Sequence, residues 1–463
     1  MNETPKTKSG WRWPRRILIT LAVFATLIAL LSAEEDWRGK RAWDNYKREW
    51  EAKGEKFDWQ TFVPPSVPDD QNFFCAPIFT NMLNGKIVMN PYHSDGSPDW
   101  HPVKTGYLGG EGRTGTTDLK AFQASYCNPT NKSLANEFPV APQPQTPAKD
   151  VLFALSKYDS AVEELRRASR RPNANVPLNY EDGFNALSPL FKDMSALKRC
   201  AQTLQLRADA ELADGQNAKA LDDEKLLLYL NNSLRTSPFL ISHLVRMAIV
   251  AIGLQPIWEG LAEHKWSDEQ LATLDAELGK MDFLVDYEFV MRGERAFAIA
   301  SFENQRRTRE MISYTDAGDV TNKLNLMPSA YFYQNELAFA QMSQQWFLPL
   351  VDTNSRTVSP EAMRRVDAEV HAEMKHYSLY KVQALMTAPV LDTAVKKFAA
   401  TQESIDLARV ACALERYRLA HDDYPETLDA LAPQFIETIP HDIIGGKPLH
   451  YRRTEDGQFI LYS

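Results

Sequence analysis

The chain has 463 residues and carries 52 Lys and Arg against 61 Asp and Glu, a net charge of −9. At about 150 residues per domain it has room for two or three domains with real cores, and its acidic balance makes it a poor nucleic-acid binder, which would show a basic stripe. Hydrophobic residues at 44% and aromatics at 11% exclude global disorder, and four cysteines exclude a disulfide-dense scaffold.

Residues Ile17 to Ala33 read ILITLAVFATLIALLSA, an uncharged run in which only Thr20, Thr26 and Ser32 are polar. A spanning helix needs about 17–25 such residues, so the run predicts a transmembrane helix. Trp11, Trp13 and Trp37 flank it, where indole rings favour the headgroup boundary. Lys6, Lys8, Arg12, Arg15 and Arg16 precede it against Glu3 alone, and Glu34, Glu35 and Asp36 follow it. The excess of positive charge on the inner side then makes 1–16 a cytoplasmic tail. Residues 17–33 become a single pass through the inner (cytoplasmic) membrane, and the bulk becomes extracytoplasmic, or periplasmic. The alternative is a cleaved signal ending at Leu31-Ser32-Ala33. Against it stand the bulky Leu31 and a run longer than the usual ~7–15-residue apolar core of a signal.

Residues 34–150 combine a juxtamembrane helix with a Pro/Gly-rich loop region. Trp37, Trp43, Tyr46 and Trp50 are expected to form one aromatic packing stripe. Residues 61–150 hold 12 of the 27 prolines and 7 of the 20 glycines, which predicts loops with a few short strands. The runs 63–68 and 142–147 suit extended linkers. The glycine-rich run from Gly106 to Thr117 has no Gly-Lys-Ser/Thr ending and so lacks the lysine of a phosphate-cradling loop.

Residues 151–400 read as a helical domain. Leu197, Ala201, Leu204, Ala208 and Leu212 step along one face, Asp214-Gly215 breaks the chain, and Leu221, Leu227, Leu228 and Leu234 begin again. This predicts an αα-hairpin. Its spacing loosely resembles a tetratricopeptide unit, but no recurrence at about 34 residues extends it into an array. Ile241 to Leu254 is the most apolar stretch outside the anchor; His243, Arg246 and Gly253 mark it as a core helix, which Pro256 is expected to close. Ser267 to Gln270 spells a capping box.

From 401 to 463 the pattern becomes a small α+β module. Leu407, Val410, Leu414 and Tyr417 share a helical face that Tyr424-Pro425 ends, and Thr427 to Leu431 forms a short helix. Residues 449–453 and 459–461 then flank an Asp456-Gly457 hairpin turn. The Tyr424-Pro425 turn, the segment from Leu428 to Leu431, Pro440 with Asp442, the turn at Gly445 and the ending Tyr462-Ser463 resemble the globular end of bacterial type II secretion pseudopilins. The resemblance covers roughly the last 65 residues. The whole chain looks like a set of large membrane-anchored bacterial proteins that carry such a module after a helical region. The resemblance implies architecture and an envelope location, with a secretion-associated interaction head.

The fold class expected is therefore mainly α, with an N-terminal transmembrane helix, a loop-rich region, a multi-helix body and a C-terminal helix plus β-hairpin. Chemistry is thin. His371 and His376 are five apart, which turns them about 140° from one another on a helix and predicts no metal pair. His421-Asp422-Asp423 reads as a surface turn, and Glu288, Arg292, Glu294 and Arg295 read as ion pairs on a helix. In an oxidising compartment Cys75 and Cys127 are placed to close the loop region with a disulfide, contributing about 4 kcal/mol in the chain-entropy model. Cys200 and Cys412 read as buried thiols. No catalytic, cofactor-binding or metal-ligating set is predicted. Three readings follow: a non-enzymatic envelope scaffold or interaction protein with a protein partner, an exported hydrolase whose acid pair assembles only in the fold, and a periplasmic ligand-binding protein. Clustered carboxylates of shifted pKa in a deep pocket would mark the second, and an apolar pocket among the helices the third.

Overall fold

The computed structural model describes residues 12–98, 115–129, 131–178, 187–315, 318–325, 327–376 and 378–463. Lys6, Lys8 and Trp11 of the N-terminal pattern, and most of the glycine-rich run, lie outside them. In chain order the helices open with α1 (Arg12–Glu51), α2 (Pro77–Leu83), α3 (Leu119–Cys127), α4 (Pro147–Leu155) and α5 (Asp159–Ala168). The longer α6 (Leu187–Ala213), α7 (Asn217–Asn232), α8 (Leu240–Ala262), α9 (Asp268–Leu278) and α10 (Phe283–Thr308) follow. A hairpin of β1 (Glu310–Thr315) and β2 (Gly318–Lys323) leads to α11 (Ser329–Met342). The two-residue strands β3 (Val351–Asp352) and β4 (Thr357–Val358) precede α12 (Pro360–Lys375) and α13 (Val382–His421), and β5 (His450–Arg453) with β6 (Phe459–Tyr462) completes the chain. The fold is mainly helical, and the described residues form three separate two-stranded antiparallel sheets.

The chain divides into two units that interleave in sequence. The first holds the described part of residues 1–58 together with 295–343 and 370–388. Its axis is α1, one uninterrupted 40-residue helix. Its first half is long and apolar enough to cross a membrane, and none of its apolar window is buried. Its second half packs on α11 through Trp43, Phe57, Ile299 and Ala340, with Tyr46 and Trp50 against them. Trp37 departs from the expected stripe and is 59% exposed. Six residues turn a helix through about 600°, so Trp37 points some 120° away from Trp43. The β1–β2 hairpin interrupts a region whose sequence suggested only helices; its register pairs Ile312 with Thr321 and Tyr314 with Asp319.

The second unit holds 59–294, 344–369 and 389–463 as far as they are described. The described residues of 61–150 form short helices and 3₁₀ turns where strands were expected. Pro77 and Pro147 stand at the first turns of α2 and α4, where a missing N–H costs nothing. The αα-hairpin of α6 and α7 turns at Gly215, whose φ of 75° suits glycine. Ser267 and Gln270 form the capping box of α9. Pro256 does not close α8, which runs on to Ala262. Ile257 and Gly260 beyond it are buried, and the Trp266 indole bonds the Ile257 carbonyl; tertiary packing there outweighs the lost backbone bond.

The C-terminal residues of α13 build the module expected from sequence. Val410, Ala413 and Leu414 meet Tyr424, Leu431, Phe435 and Leu449 in one buried cluster. Leu428–Leu431 is a 3₁₀ turn, and β5 pairs β6 with Tyr451 opposite Leu461. The module's helix is no separate element: α13 continues back through Pro389 to Val382.

Candidate functional site

The second unit places its most unusual side chains where α6, α7 and α8 pack together. A Cβ on Gly253 of α8 would lie 2.6 Å from a Leu227 methyl and 3.0 Å from a Glu224 carboxylate oxygen, so a larger residue there would have to displace the ends of these two α7 side chains. Glu224 is fully buried, and among the described residues neither of its oxygens has a hydrogen-bond partner. Asp209 of α6, also buried, accepts from the Thr117 hydroxyl and the Gln205 amide through one oxygen, while its other has no partner among the described residues. The Thr117 N–H donates to Glu259 at 2.6 Å, and the Gln255 amide donates to Glu259 at 2.6 Å and to the Gly115 carbonyl at 3.1 Å.

Burial raises both carboxyls well above the ordinary range. For Asp209 the Glu259 charge adds to burial and the bonds from Thr117 and Gln205 oppose it; for Glu224 the charges of Asp209 and Asp223 add to it. Burial in such surroundings favours the protonated, neutral form of a carboxyl over the ionised one. Asp223, close by, shows the opposite arrangement: Arg166 donates to one oxygen at 2.6 Å and Arg207 to the other at 2.8 Å.

A groove of about 570 Å³ lies beside this layer. Ala251, Leu254, Trp258 and Leu261 of α8 face it at helical steps of three and four. Leu407, Ala408 and Ala411 of α13 face it likewise, and Phe459 and Leu461 of β6 complete the wall. Alanines on both helices leave the width that leucines would fill. The volume and the apolar lining with few polar groups match a small-molecule site. Gln255 and Gly115 border it, so the carboxylate network stands behind one wall, but neither Asp209 nor Glu224 lines it.

Another polar group of the groove is Glu415. Arg418 grips both its oxygens at 2.9 and 2.7 Å, Tyr424 donates at 2.8 Å, and His264 Nδ1 lies at 2.8 Å. Burial alone would raise its pKa, but the bonds from Arg418, Tyr424 and His264 outweigh burial and hold the carboxyl below the usual range. Glu415 is thus a fully engaged carboxylate whose partners favour its ionised form, whereas burial favours the neutral form of Glu224, which has no hydrogen-bond partner among the described residues.

The residues singled out from sequence are scattered. Cys75 and Cys127 are free, half-buried thiols and form no bridge in the structure; Cys75 instead accepts a bond from the Asn72 amide. Burial raises both thiols. Cys200 and Cys412 are fully buried, Cys200 with its sulfur 3.8 Å from that of Met89. His371 is exposed on α12 and His376 follows that helix's end. His421 stacks on Tyr417, and Asp423 pairs with Arg453. Glu288 and Arg292 form the expected ion pair at 2.9 Å. Glu294, by contrast, is buried against the Leu240 N–H, and Arg295 is buried and bonded to Glu55. Among the described residues no group of three or more His, Cys, Asp or Glu side chains is arranged to hold a metal ion.

Sequence reasoning missed the groove and the buried acids. A signal existed for Glu224: it sits three and four residues before Leu227 and Leu228, on a face that apolar residues should own. The groove had none, because it depends on which faces of α8 and α13 end up opposite each other. No family model matches the chain, and neither a curated protein nor a solved structure matches it.

Proposed function

We propose that the chain is a single-pass protein of the bacterial envelope whose body, outside the cytoplasmic membrane, binds an apolar ligand in the groove beside α8, α13 and β6. The groove carries this reading: about 570 Å³ walled by leucine, alanine and aromatic side chains, a composition suited to an alkyl chain or a small ring system. The apolar run of α1 and its basic flank support the anchor and its orientation. Burial of Asp209 and Glu224 away from the groove favours binding over acid–base hydrolysis, since a general acid must reach its substrate.

The test uses the full-length chain in lipid nanodiscs, titrated with a dansyl-labelled fatty acid. Saturable fluorescence enhancement is expected, and Ala408→Trp, which puts an indole into the wall, should abolish it without shifting the unfolding midpoint. No saturable signal from the unaltered chain, or an unchanged signal in the variant, sinks the ligand reading. An alkaline phosphatase fusion after Ser463 should be active; an inactive fusion that is intact sinks the orientation.

A protein partner in the envelope is the second reading. Its support is the pseudopilin-like module, whose two-stranded β5–β6 sheet leaves Ile460 and Tyr462 exposed at 36% and 52% beside unpaired strand edges. Reproducible co-purification that Tyr462→Asp abolishes would favour it.

A further inference from the structure

Within the first unit, Glu336 of α11 is fully buried, and among the described residues neither of its carboxylate oxygens has a hydrogen-bond partner. Its place in the helix explains the burial. Tyr333 and Ala340 stand three residues before it and four after it, on the same side of α11. Tyr333 lies against Gly39 of α1, and the Tyr46 hydroxyl of α1 donates to the Ala340 carbonyl. Ala340 itself packs with Trp43 of α1 and Ile299 of α10. The seam where α11 meets both helices therefore encloses a carboxyl.

The charges around that carboxyl cancel. Helix α1 brings Lys47 and Asp44, and α10 brings Arg306 and Glu303. Lys47 also lies 4.0 Å from Glu51 on its own helix. The Arg306 guanidinium lies 4.7 Å over the Tyr333 ring, and its buried Nε has no hydrogen-bond partner among the described residues. On the adjoining face of α11 the start of α13 meets Asn335 with amides. The Gln383 and Ala384 N–H groups donate to the Asn335 side chain, and Gln383 bonds Gln305 of α10. Lys381, just before them, pairs with Glu373 at 2.9 Å. With two cations set against two anions, burial decides. It raises the Glu336 pKa to about 8, with Glu303 and Asp44 adding to it and Arg306 and Lys47 opposing it.

We infer that Glu336 is a proton-operated latch in this seam: protonated, it lets α11 close on α1 and α10, and ionised, it loosens them. A neutral carboxyl is enclosed at moderate cost, whereas an unpaired buried carboxylate costs far more. Linkage sets the direction. The folded seam binds this proton more tightly than the unfolded chain, whose glutamates titrate near 4.3. Stability from this group is therefore full below about pH 4, declines as the pH rises, and is lost once the pH passes the folded value of about 8. The latch is independent of the groove, and it needs neither the anchor nor its orientation.

The experiment follows amide hydrogen exchange by mass spectrometry on the full-length chain in lipid nanodiscs between pH 5.5 and pH 8.5. Each rate is divided by the intrinsic rate at that pH to give a protection factor. Protection of 36–50 and 329–342 should fall as the pH rises toward 8, by up to about tenfold per pH unit, and then level off. Glu336→Gln keeps the shape of the side chain and cannot ionise, so it should hold the protection of both segments nearly constant over the same range. Glu336→Leu should do the same, and neither variant should change the exchange of α9. Protection of these segments that is independent of pH in the unaltered chain overturns the latch. A fall that is equally steep in Glu336→Gln, or a change that is shared by α9, overturns it too.

Discussion

Among the described residues two helices, α1 and α8, are long and apolar enough to cross a membrane, yet none of the apolar window of α1 is buried inside the protein and 67% of that of α8 is. Length and composition do not separate them. What does is the polar content that only a protein interior can satisfy. Between Ile17 and Ala33 the polar groups of α1 are three hydroxyls, and Thr26 returns its own to the Ala22 carbonyl. Such a helix asks nothing of its neighbours. By contrast α8 carries Ser242, His243, Arg246 and Gln255, all buried. Arg246 bonds Asp286 at 2.7 Å, His243 at 2.9 Å and the Asn231 carbonyl at 3.2 Å, with its guanidinium 4.7 Å over Phe283. An apolar helix that holds a buried cation is committed to the partners that neutralise it.

The largest expected effect breaks that commitment. Asp286→Ala leaves Arg246 charged, buried and unpaired, which should destabilise the second unit by about 3–5 kcal/mol. Chemical denaturation of the full-length chain followed by near-UV circular dichroism measures it. The double variant Arg246→Met, Asp286→Leu should recover most of the loss, since a well-packed apolar pair often equals a buried ion pair. A single variant as stable as the original would mean that α8 owes its place to apolar burial alone.

The next effect falls on α1 and should leave the body untouched. Phe24 lies near the middle of the apolar stretch and is 62% exposed. Phe24→Arg should cost about 2.5–3.5 kcal/mol of insertion and move the protein from the alkaline-extracted membrane pellet to the supernatant. The unfolding midpoint of the body should not change. Retention in the pellet would remove the distinction drawn between the two helices.

Local chemistry was legible in the sequence, and tertiary chemistry was not. The turn at Asp214-Gly215, the capping box at Ser267 and the hairpin turn at Asp456-Gly457 each act within a few residues and were readable without the fold. Pro256 misled, because a proline's local penalty was outweighed by packing that lies elsewhere in the chain. The β1–β2 hairpin escaped because its strands alternate weakly and it stands between long helices. The buried carboxylates escaped for a different reason: Thr117 and Asp209, which bond each other, are 92 residues apart. The groove is harder still, since it is the space that small residues of two helices leave unfilled.

The smallest expected effect concerns the other face of α8, where Gly253 packs on Glu224. Burial raises the Glu224 pKa, so the folded chain binds this proton more tightly than the unfolded chain, whose glutamates titrate near 4.3. Stability from this group is therefore full below about pH 4 and declines as the pH rises toward the folded value. Glu224→Gln mimics the neutral form at every pH. Its unfolding midpoint relative to the original chain should rise between pH 5 and pH 8, by roughly 2–4 °C for each kcal/mol of ionisation penalty removed. The same comparison on Glu415→Gln should run the opposite way: that carboxyl is held low by Arg418, Tyr424 and His264, and its loss should weaken the fold most where the native group is ionised. A pH-independent difference for Glu224→Gln would mean that the native carboxyl has found a partner.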